Sequence, residues 1–199
     1  MPPPTIYYIR HGETDWNVAG RLQGRHDVAL NAYGRAQADH CGRILRDLFA
    51  SRGHDPTDFD YVSSPLGRAR ETMALMRMPL GLPPDGYRVE GRLAEISFGE
   101  WEGFTIAQLH SRDPQRIAAR EQDKWRFVPP GGESYETVAA RMRDWYEKLA
   151  CDTVAVAHGG TARGLIAYLG IAKPAAAPLV DIAQGVVYVF EGERLTRYV

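Results

Sequence analysis

The chain has few of the residues and segments that mark several classes of protein. Its 199 residues include two cysteines, Cys41 and Cys151, which are too few and too far apart in sequence to suggest a disulfide framework or a metal site. No apolar run reaches the length of a bilayer span. The start, Met1-Pro2-Pro3-Pro4, lacks the basic and apolar regions of an export signal. We therefore expect a cytoplasmic protein with no membrane partner.

The net charge of the chain is small, and lysine is rare. A formal charge of −1 at pH 7 creates no overall field that would attract nucleic acid, so no nucleic-acid partner is expected. Lysine occurs three times, and 21 of the 24 basic residues are therefore arginine. Arginine binds phosphate and carboxylate in a planar, two-pronged manner. A GC-rich genome produces the same excess, and we attribute the excess to that cause.

Strand patterns alternate with helix patterns along most of the chain. Four segments are predicted as strands: Thr5–Ile9, Phe59–Ser63, Tyr87–Val89 and Thr153–Ala157. Helices are predicted from an Asn31 cap to Phe49, from Pro65 to Met76, from Ser134 to Leu149 and from Thr161 to Leu169. Two β-rich runs around Glu191-Gly192-Glu193 predict a terminal hairpin. The alternation predicts an α/β three-layer sandwich, with a mostly parallel central sheet, helices on both faces and a C-terminal β-hairpin.

Two further features concern packing and domain organisation. The first long helix carries a predicted apolar stripe: Tyr33, Ala36, Cys41, Ile44, Leu45, Leu48 and Phe49. Residues 98–130 show a weaker pattern, with polar helical stretches and five aromatic residues. We interpret this segment as a cap over the sheet and its aromatic side chains mainly as packing. One domain over residues 1–199 is the simplest organisation for this length.

Polar residues follow the predicted strands at the points where each strand ends. Arg10 and His11 come directly after the first strand, Arg68 follows the second, Glu95 the third and His158 the fourth. In an open α/β sheet, functional residues gather beyond the carboxyl ends of the strands. Two histidines, two arginines and one carboxylate are therefore predicted to converge at one edge.

This set of residue types suits phosphate chemistry. A phosphomonoester carries about two negative charges, which two guanidinium groups can neutralise through bidentate hydrogen bonds. A neutral imidazole can attack phosphorus, and nearby arginines disfavour its charged form. A second, protonated histidine can stabilise charge on the phosphoryl oxygens. A carboxylic acid can protonate the leaving group and then activate water.

Each residue taken singly also has a structural explanation. Arg68 and Glu95 fit solvated surface charges, and His158 fits a structural or a functional role equally well. Gly159 and Gly160 either let backbone N–H groups approach a phosphate or begin the next helix. We assign structural roles to the remaining histidines, which lie in polar or helical surroundings: His26, His40, His54 and His110.

The run Arg10-His11-Gly12-Glu13-Thr14, followed by Trp16-Asn17, resembles the signature of the histidine phosphatase superfamily, which includes cofactor-dependent phosphoglycerate mutase. Asn31 stands where that family more usually has Thr or Ser. Five more blocks are similar to later segments of the family in the same order: Arg21–Gly24, Leu30–Ala38, Ser63–Thr72, Leu93–Gly103 and Val156–Gly160.

The resemblance implies a role for each matching residue. His11 would be the phosphorylated nucleophile, and Glu95 would donate and accept the proton. The rest of the phosphate pocket would be Arg10, Arg68 and His158. Contacts to phosphate or substrate would come from Asn17, Gln23, Gly24 and the Gly159 backbone. The family uses no metal, so no metal site and no cofactor are expected.

Three functions follow, in order of preference. The first is a metal-independent phosphomonoesterase that acts on a small phosphorylated metabolite through a phosphohistidine, since the Phe98–Gly103 run is similar to the phosphatase branch, including broad-specificity and α-ribazole phosphate phosphatases. The second is a phosphoglycerate mutase with 2,3-bisphosphoglycerate as cofactor. The third is a non-catalytic phosphoryl-binding scaffold, which the intact set of five residue types argues against.

The length of one segment separates the first two functions. True mutases resemble one another in a longer basic insertion after the catalytic Glu, whereas here 38 residues lie between Glu95 and Ser134. The segment still holds basic residues that could bind a substrate carboxylate: Arg112, Arg116, Arg120, Lys124 and Arg126. The natural substrate and the oligomeric state are not predicted.

Overall fold

The computed structural model describes residues 3–199. Met1 and Pro2 lie outside the described residues; they are the first two residues of the predicted domain and of the start that lacks an export signal. Within residues 3–199 one sheet contains six strands: β1 (Ile6–Arg10), β2 (Asp60–Ser63), β3 (Arg88–Val89), β4 (Thr153–Ala157), β5 (Val187–Glu191) and β6 (Arg194–Tyr198). Their order is β3-β2-β4-β1-β5-β6. The first four are parallel to one another, β5 is antiparallel to β1, and β6 is antiparallel to β5. The predicted mostly parallel sheet with a C-terminal hairpin is confirmed.

Helices alternate with these strands: α1 (Asp15–Val18), α2 (Ala32–Arg52), α3 (Gly67–Arg77), α4 (Ile106–Arg112), α5 (Pro114–Gln122), α6 (Tyr135–Tyr146) and α7 (Gly159–Tyr168). The predicted Asn31 cap is present, since its side chain accepts a hydrogen bond from Gly34 N at 2.8 Å. α3 begins at Gly67, two residues later than predicted. Leu66 is still extended there, and Gly67 N donates to Asp27 Oδ2 at 3.0 Å.

The two faces of the sheet are covered by different helices. Ile6 and Tyr8 of β1 pack on one face with apolar residues of α6 and α7. Tyr7 and Ile9 alternate onto the other face, where they meet α2 and α3. All four side chains are almost fully buried. This arrangement is the predicted three-layer sandwich, and it fixes β1 in the centre of the molecule.

Tyr33 and Ala36, both predicted in the apolar stripe of α2, are exposed, Tyr33 by 62%, so the prediction is wrong at these two positions. Gly34 instead faces the loop after β1. A Cβ added to Gly34 would lie 2.1 Å from Glu13 O, and a Cβ added to Gly12 would lie 2.1 Å from Gly34 O. Because of this backbone-to-backbone contact, the buried face of α2 includes Gly34, Ala38, Cys41 and Leu45. Tyr33 consequently faces solvent.

Residues 98–130 contain α4, α5 and a small apolar cluster of their own. Trp101, Leu109 and Ile117 are its buried members, and Leu22 packs against them from outside the segment. Trp101 also stacks on Phe127, with ring centroids 5.2 Å apart. Among residues 3–199, no helix is both long enough and apolar enough to cross a bilayer.

The contact between Gly12 and Gly34 generates a prediction about stability. Helix propensity alone favours Gly34→Ala by about 1 kcal/mol. The overpacking cost of about 1–3 kcal/mol should outweigh this gain, because the new methyl group meets backbone atoms that cannot rotate away. We expect urea denaturation to show a lower free energy of unfolding for Gly34→Ala.

Gly91→Ala is the matched control, because a Cβ there has nothing within 4 Å and the φ angle of Gly91 is not positive. Its free energy of unfolding should stay within about 0.5 kcal/mol of that of the wild type. A Gly34→Ala variant as stable as the wild type would show that the loop after β1 moves freely relative to α2.

Candidate active site

Parallel strands bring the predicted site residues to one edge of the sheet. Arg10 ends β1 and pairs with Ala157, the last residue of β4. The pairing continues one residue further, since His11 N donates to Ala157 O at 3.0 Å. His11 and His158 follow the two strands directly and lie next to each other, with ring centroids 5.0 Å apart.

The imidazole of His11 is held in one tautomer. Its Nδ1 lies 2.7 Å from Gly12 O. A carbonyl oxygen can only accept, so Nδ1 carries the hydrogen. Nε2 accepts a hydrogen bond from Arg68 Nε at 3.2 Å. The lone pair of Nε2, which lies in the plane of the ring, is therefore directed at the guanidinium. His11 is 2% exposed and lines a cleft.

Burial, followed by the charges of Arg68 and Arg10, holds the pKa of His11 well below its usual value. The hydrogen bond to Gly12 acts in the opposite direction but does not outweigh these causes. The ring is therefore neutral at physiological pH. A neutral imidazole with an unprotonated Nε2 is the state that a nucleophilic histidine requires.

Arg68, in the first turn of α3, is 1% exposed. Its Nη2 donates to Gly24 O at 2.7 Å, and Nη1 donates to His26 O. With Nε directed at His11, each nitrogen of the guanidinium donates to one neighbour. The loop around Gly24 thus fixes the plane of the guanidinium relative to His11.

Arg10 also lines the cleft. Its Nη1 donates to Ile182 O at 2.7 Å. Its Nε is buried and has no hydrogen-bond partner among residues 3–199. Arg10 and Arg68 thus bring two guanidinium groups to the cleft that His11 lines, and this pair of charges suits a phosphoryl group.

Glu95 is oriented by the start of α7. Its Oε1 accepts hydrogen bonds from Ile96 N and Gly160 N, both at 2.9 Å. Gly160 has to lack a side chain, because a Cβ there would lie 2.4 Å from Oε1. Gly159 and Gly160 therefore begin α7, and the second glycine also binds the carboxylate that lines the cleft.

His158 is fully buried beside His11. Its Nε2 lies 2.7 Å from Ser64 Oγ, and its Nδ1 has no partner within the part of the chain that the structure describes. Burial lowers the pKa of His158 well below the usual value, with further contributions from Arg68, His11 and Arg10. The protein alone thus favours a neutral ring, in contrast to the charged second histidine expected from sequence. A phosphate dianion would act in the opposite direction.

The four predicted binding residues also line the cleft: Asn17, Gln23, Gly24 and Gly159. Asn17 and Thr14 form a reciprocal cap at α1, and Gln23 Nε2 donates to Thr14 Oγ1 at 2.6 Å. Gln184 Nε2 donates to Asn17 Oδ1 at 3.0 Å and to His11 O at 3.1 Å. Gln184 was not predicted, because it lies far along the chain in a segment without a motif.

Glu102 is a second residue that the sequence reasoning missed. Its Oε1 accepts hydrogen bonds from Arg25 N at 3.1 Å and Phe98 N at 3.0 Å, and its Oε2 lies 3.8 Å from His26 Nε2. The carboxylate thus connects the loop that holds Arg68 to the segment that follows Glu95. Its place in the Glu100-Trp101-Glu102 run gave no local sign of this contact.

The cleft has a volume of about 160 Å³. The predicted site residues line it, except for His158, and so does Gly160. Its walls include six others: Arg21, Leu22, Ile96, Phe98, Tyr135 and Arg163. Arg163 lies four residues after Gly159 on α7, so the two residues share one face of the helix. This spacing in the sequence was a signal that Arg163 lines the same cleft as Gly159. Among residues 3–199, no group of three or more His, Cys, Asp or Glu side chains has metal-binding geometry.

Comparison with known proteins identifies the family of the chain. A sequence profile of the histidine phosphatase superfamily (branch 1) matches residues 6–197. The chain is 37% identical over 178 residues to a glucosyl-3-phosphoglycerate phosphatase of Mycobacterium tuberculosis, covering 82% of this chain and 74% of that protein.

Two further comparisons connect the chain to phosphatases and to mutases. The crystal structure of an alpha-ribazole phosphatase from Shigella flexneri superposes with a TM-score of 0.79 at 26% identity, covering 98% of this chain and 95% of that chain. A 2,3-bisphosphoglycerate-dependent phosphoglycerate mutase of Cytophaga hutchinsonii is 28% identical over 200 residues, covering 94% of this chain and 87% of the mutase.

The position of Arg68 generates a prediction about His11. Because the guanidinium charge disfavours the imidazolium, Arg68→Met should raise the pKa of His11 toward the ordinary value. NMR titration of the ring carbon and nitrogen shifts measures this directly. Arg70→Met, at an exposed position on the same helix, is the control and should leave the titration of His11 unchanged. An unchanged or lower pKa in Arg68→Met would disprove this electrostatic account.

Proposed function

The chain belongs to branch 1 of the histidine phosphatase superfamily, and we propose that it is a phosphomonoesterase that hydrolyses a small phosphorylated metabolite through a phosphohistidine. One observation carries the proposal. His11 presents an unprotonated Nε2 next to Arg68, in a cleft that Arg10 and Glu95 also line. A structural role alone does not explain a buried, neutral imidazole beside the guanidinium groups of Arg68 and Arg10.

In the first step, the lone pair of His11 Nε2 leaves its hydrogen bond with Arg68 Nε and attacks the phosphorus of the ester. A nitrogen–phosphorus bond forms as the bond from phosphorus to the ester oxygen breaks. Protonated Glu95 gives its proton to the departing oxygen, so that an alcohol leaves. Arg10 and Arg68 stabilise the charge on the phosphoryl oxygens through their remaining N–H groups, because backbone carbonyl groups already orient both guanidinium groups.

In the second step, water replaces the alcohol. Glu95, now ionised, takes a proton from water as the water oxygen attacks phosphorus. The nitrogen–phosphorus bond breaks, inorganic phosphate leaves and His11 is again neutral. Glu95 is protonated at the end, as at the start, so the cycle is balanced. The two N–H groups that hold Oε1 keep the carboxyl group in position for both steps.

The proposed chemistry draws its positive charge from side chains. Arg10 and Arg68 supply the charge that a metal supplies in other phosphatases, and we propose that no metal is needed. Residues 98–130 are proposed as a cap, since Phe98 lines the cleft and Leu22 packs against the aromatic cluster of that segment. Asn17, Gln23, Gly24 and Gly159 are proposed to contact the phosphate or the substrate.

Phosphoglycerate mutase is the second candidate, favoured by the similarity to the mutase of Cytophaga hutchinsonii over 94% of the chain. A mutase has to protect the phosphohistidine from water while its bisphosphorylated intermediate turns round, and exclusion of water usually requires a lid. The short segment between Glu95 and Ser134 offers few residues for such a lid. We therefore place hydrolysis first.

The main test is direct. The protein is incubated with a panel of phosphate esters that includes 3-phosphoglycerate, with and without 2,3-bisphosphoglycerate, while free phosphate and 2-phosphoglycerate are followed together. We expect phosphate release from at least one ester to exceed isomerisation, and EDTA to leave that rate unchanged. Denatured samples quenched in base should carry acid-labile phosphate on His11.

Two variants complete this test. His11→Ala should abolish turnover and labelling, because Nε2 is the attacking atom. His40→Ala, at an exposed position on α2, should behave as the wild type. Retained turnover in His11→Ala would refute the covalent mechanism, and isomerisation much faster than any hydrolysis would establish the mutase instead.

The role of Glu95 is tested with two leaving groups. Glu95→Gln should slow the phosphorylation step for alkyl phosphates by about 10²–10⁴-fold, the usual contribution of a general acid. The rate of phosphorylation by p-nitrophenyl phosphate should fall much less, because nitrophenolate leaves without a proton. Single-turnover measurements isolate this step from the later attack of water. Glu100→Gln, which changes an exposed carboxylate nearby, is the control. Equal losses for both esters would remove Glu95 from the acid role.

A further inference from the structure

Arg163 extends the positive charge of the cleft beyond the phosphate pocket. It lies on α7 and lines the cleft. A Cβ added to Gly159 would lie 3.3 Å from Arg163 Nη1 and 3.7 Å from Arg10 Nε. The two guanidinium groups therefore flank the same small residue. A ligand whose phosphate lies between Arg10 and Arg68 would have Arg163 next to its remaining part.

Two more cations lie behind Arg163. Arg163 Nε donates to Val180 O at 2.9 Å, and Lys124 Nζ donates to Pro178 O at 3.1 Å. The two side chains are thus held by carbonyl groups two residues apart in one segment. Arg120 lies four residues before Lys124, and both line a second cavity that adjoins this segment at Leu179.

Tyr135 connects this group to the cleft. Its ring is buried in α6 and lines the cleft beside Glu95. Burial raises the pKa of its hydroxyl, while Arg163 and Arg120 act to lower it. Arg163, Arg120 and Glu95 are therefore all close enough to the phenol to affect its pKa.

None of the three cations forms an ion pair within 4.0 Å among residues 3–199. Glu121 and Asp123 also line the cavity of Arg120 and Lys124, but they lie near His110 and Arg126. Other basic residues of the same region are compensated: Arg116 pairs with Asp113, and Arg126 lies near Asp123 and Glu136. Burial, Arg120 and Arg163 lower the pKa of Lys124 to about 8. Partly buried like charges that form no ion pair are unfavourable, and an anion bound to Arg163 in the cleft would reduce this cost.

We propose that Arg163, with Arg120 and Lys124 behind it, forms a second anion site that binds a carboxylate on the leaving part of the substrate. The proposal rests on the proposed function, because it assigns the substrate class of that same cleft. One guanidinium lines the cleft directly, which suits the planar, singly charged carboxylate through two parallel hydrogen bonds. The other two cations add charge at longer range.

The test uses two phosphate esters of equal chain length, 3-phosphoglycerate with a carboxylate and glycerol 3-phosphate with a hydroxymethyl group in its place. The wild type should hydrolyse the acidic ester with the higher kcat/KM. Arg163→Met should reduce the ratio of the two kcat/KM values by roughly 10–100-fold, the range expected for a lost hydrogen bond to a charged group. Lys124→Met should reduce the ratio less. Arg126→Met, at an exposed position, should leave it unchanged.

Calorimetric titration of His11→Ala with the same two esters gives a readout that is independent of turnover. The acidic ester should bind more tightly, and the preference should fall in the double variant His11→Ala/Lys124→Met. If no ester is hydrolysed but the binding preference is present, the proposed function fails and the anion site stands. Equal affinity for both esters, or a ratio that Arg163→Met and Lys124→Met leave unchanged, would overturn the anion site.

Discussion

The hydrogen bond from Arg68 Nε to His11 Nε2 is the contact on which the geometry of the site depends. It forms only if Nε2 is unprotonated, and the bond from Nδ1 to Gly12 O ensures that the hydrogen lies on the other side of the ring. Two unit charges 4 Å apart repel by about 4 kcal/mol at an effective dielectric constant of 20. A protonated His11 would meet such a repulsion from Arg68, so the buried guanidinium both orients the nucleophile and keeps it neutral.

This contact requires support from parts of the chain that are far apart in sequence. Gly24 O and His26 O fix the guanidinium, and Glu102 holds their loop against Phe98. The segment that carries Glu95 is thereby tied to the segment that orients Arg68. The contact between Gly12 and Gly34 packs the loop that follows His11 against α2. Nucleophile, phosphate-binding group and acid therefore share one continuous set of contacts.

Charge in the cleft is unevenly compensated. Arg10, Arg68 and Arg163 surround a space where Glu95 is the carboxylate that lines the wall, and Glu95 is bound to the first turn of α7. Such a site attracts an anion and leaves the acid in a fixed position beside it. Burial, followed by the same excess of positive charge, explains why the rings of His11 and His158 both favour the neutral form.

Local sequence patterns determined the fold class, the Asn31 cap, the terminal hairpin and the positions of Arg10, His11, Arg68, Glu95 and His158 after their strands. These features depend on residues close in sequence, or on the rule that parallel strands end at one edge. Tertiary structure alone decided the exposure of Tyr33, the bond from Gly160 to Glu95, the role of Glu102 and the place of Arg163 beside Arg10. Each of these depends on the distance between segments remote in sequence, which periodicity and motifs do not encode.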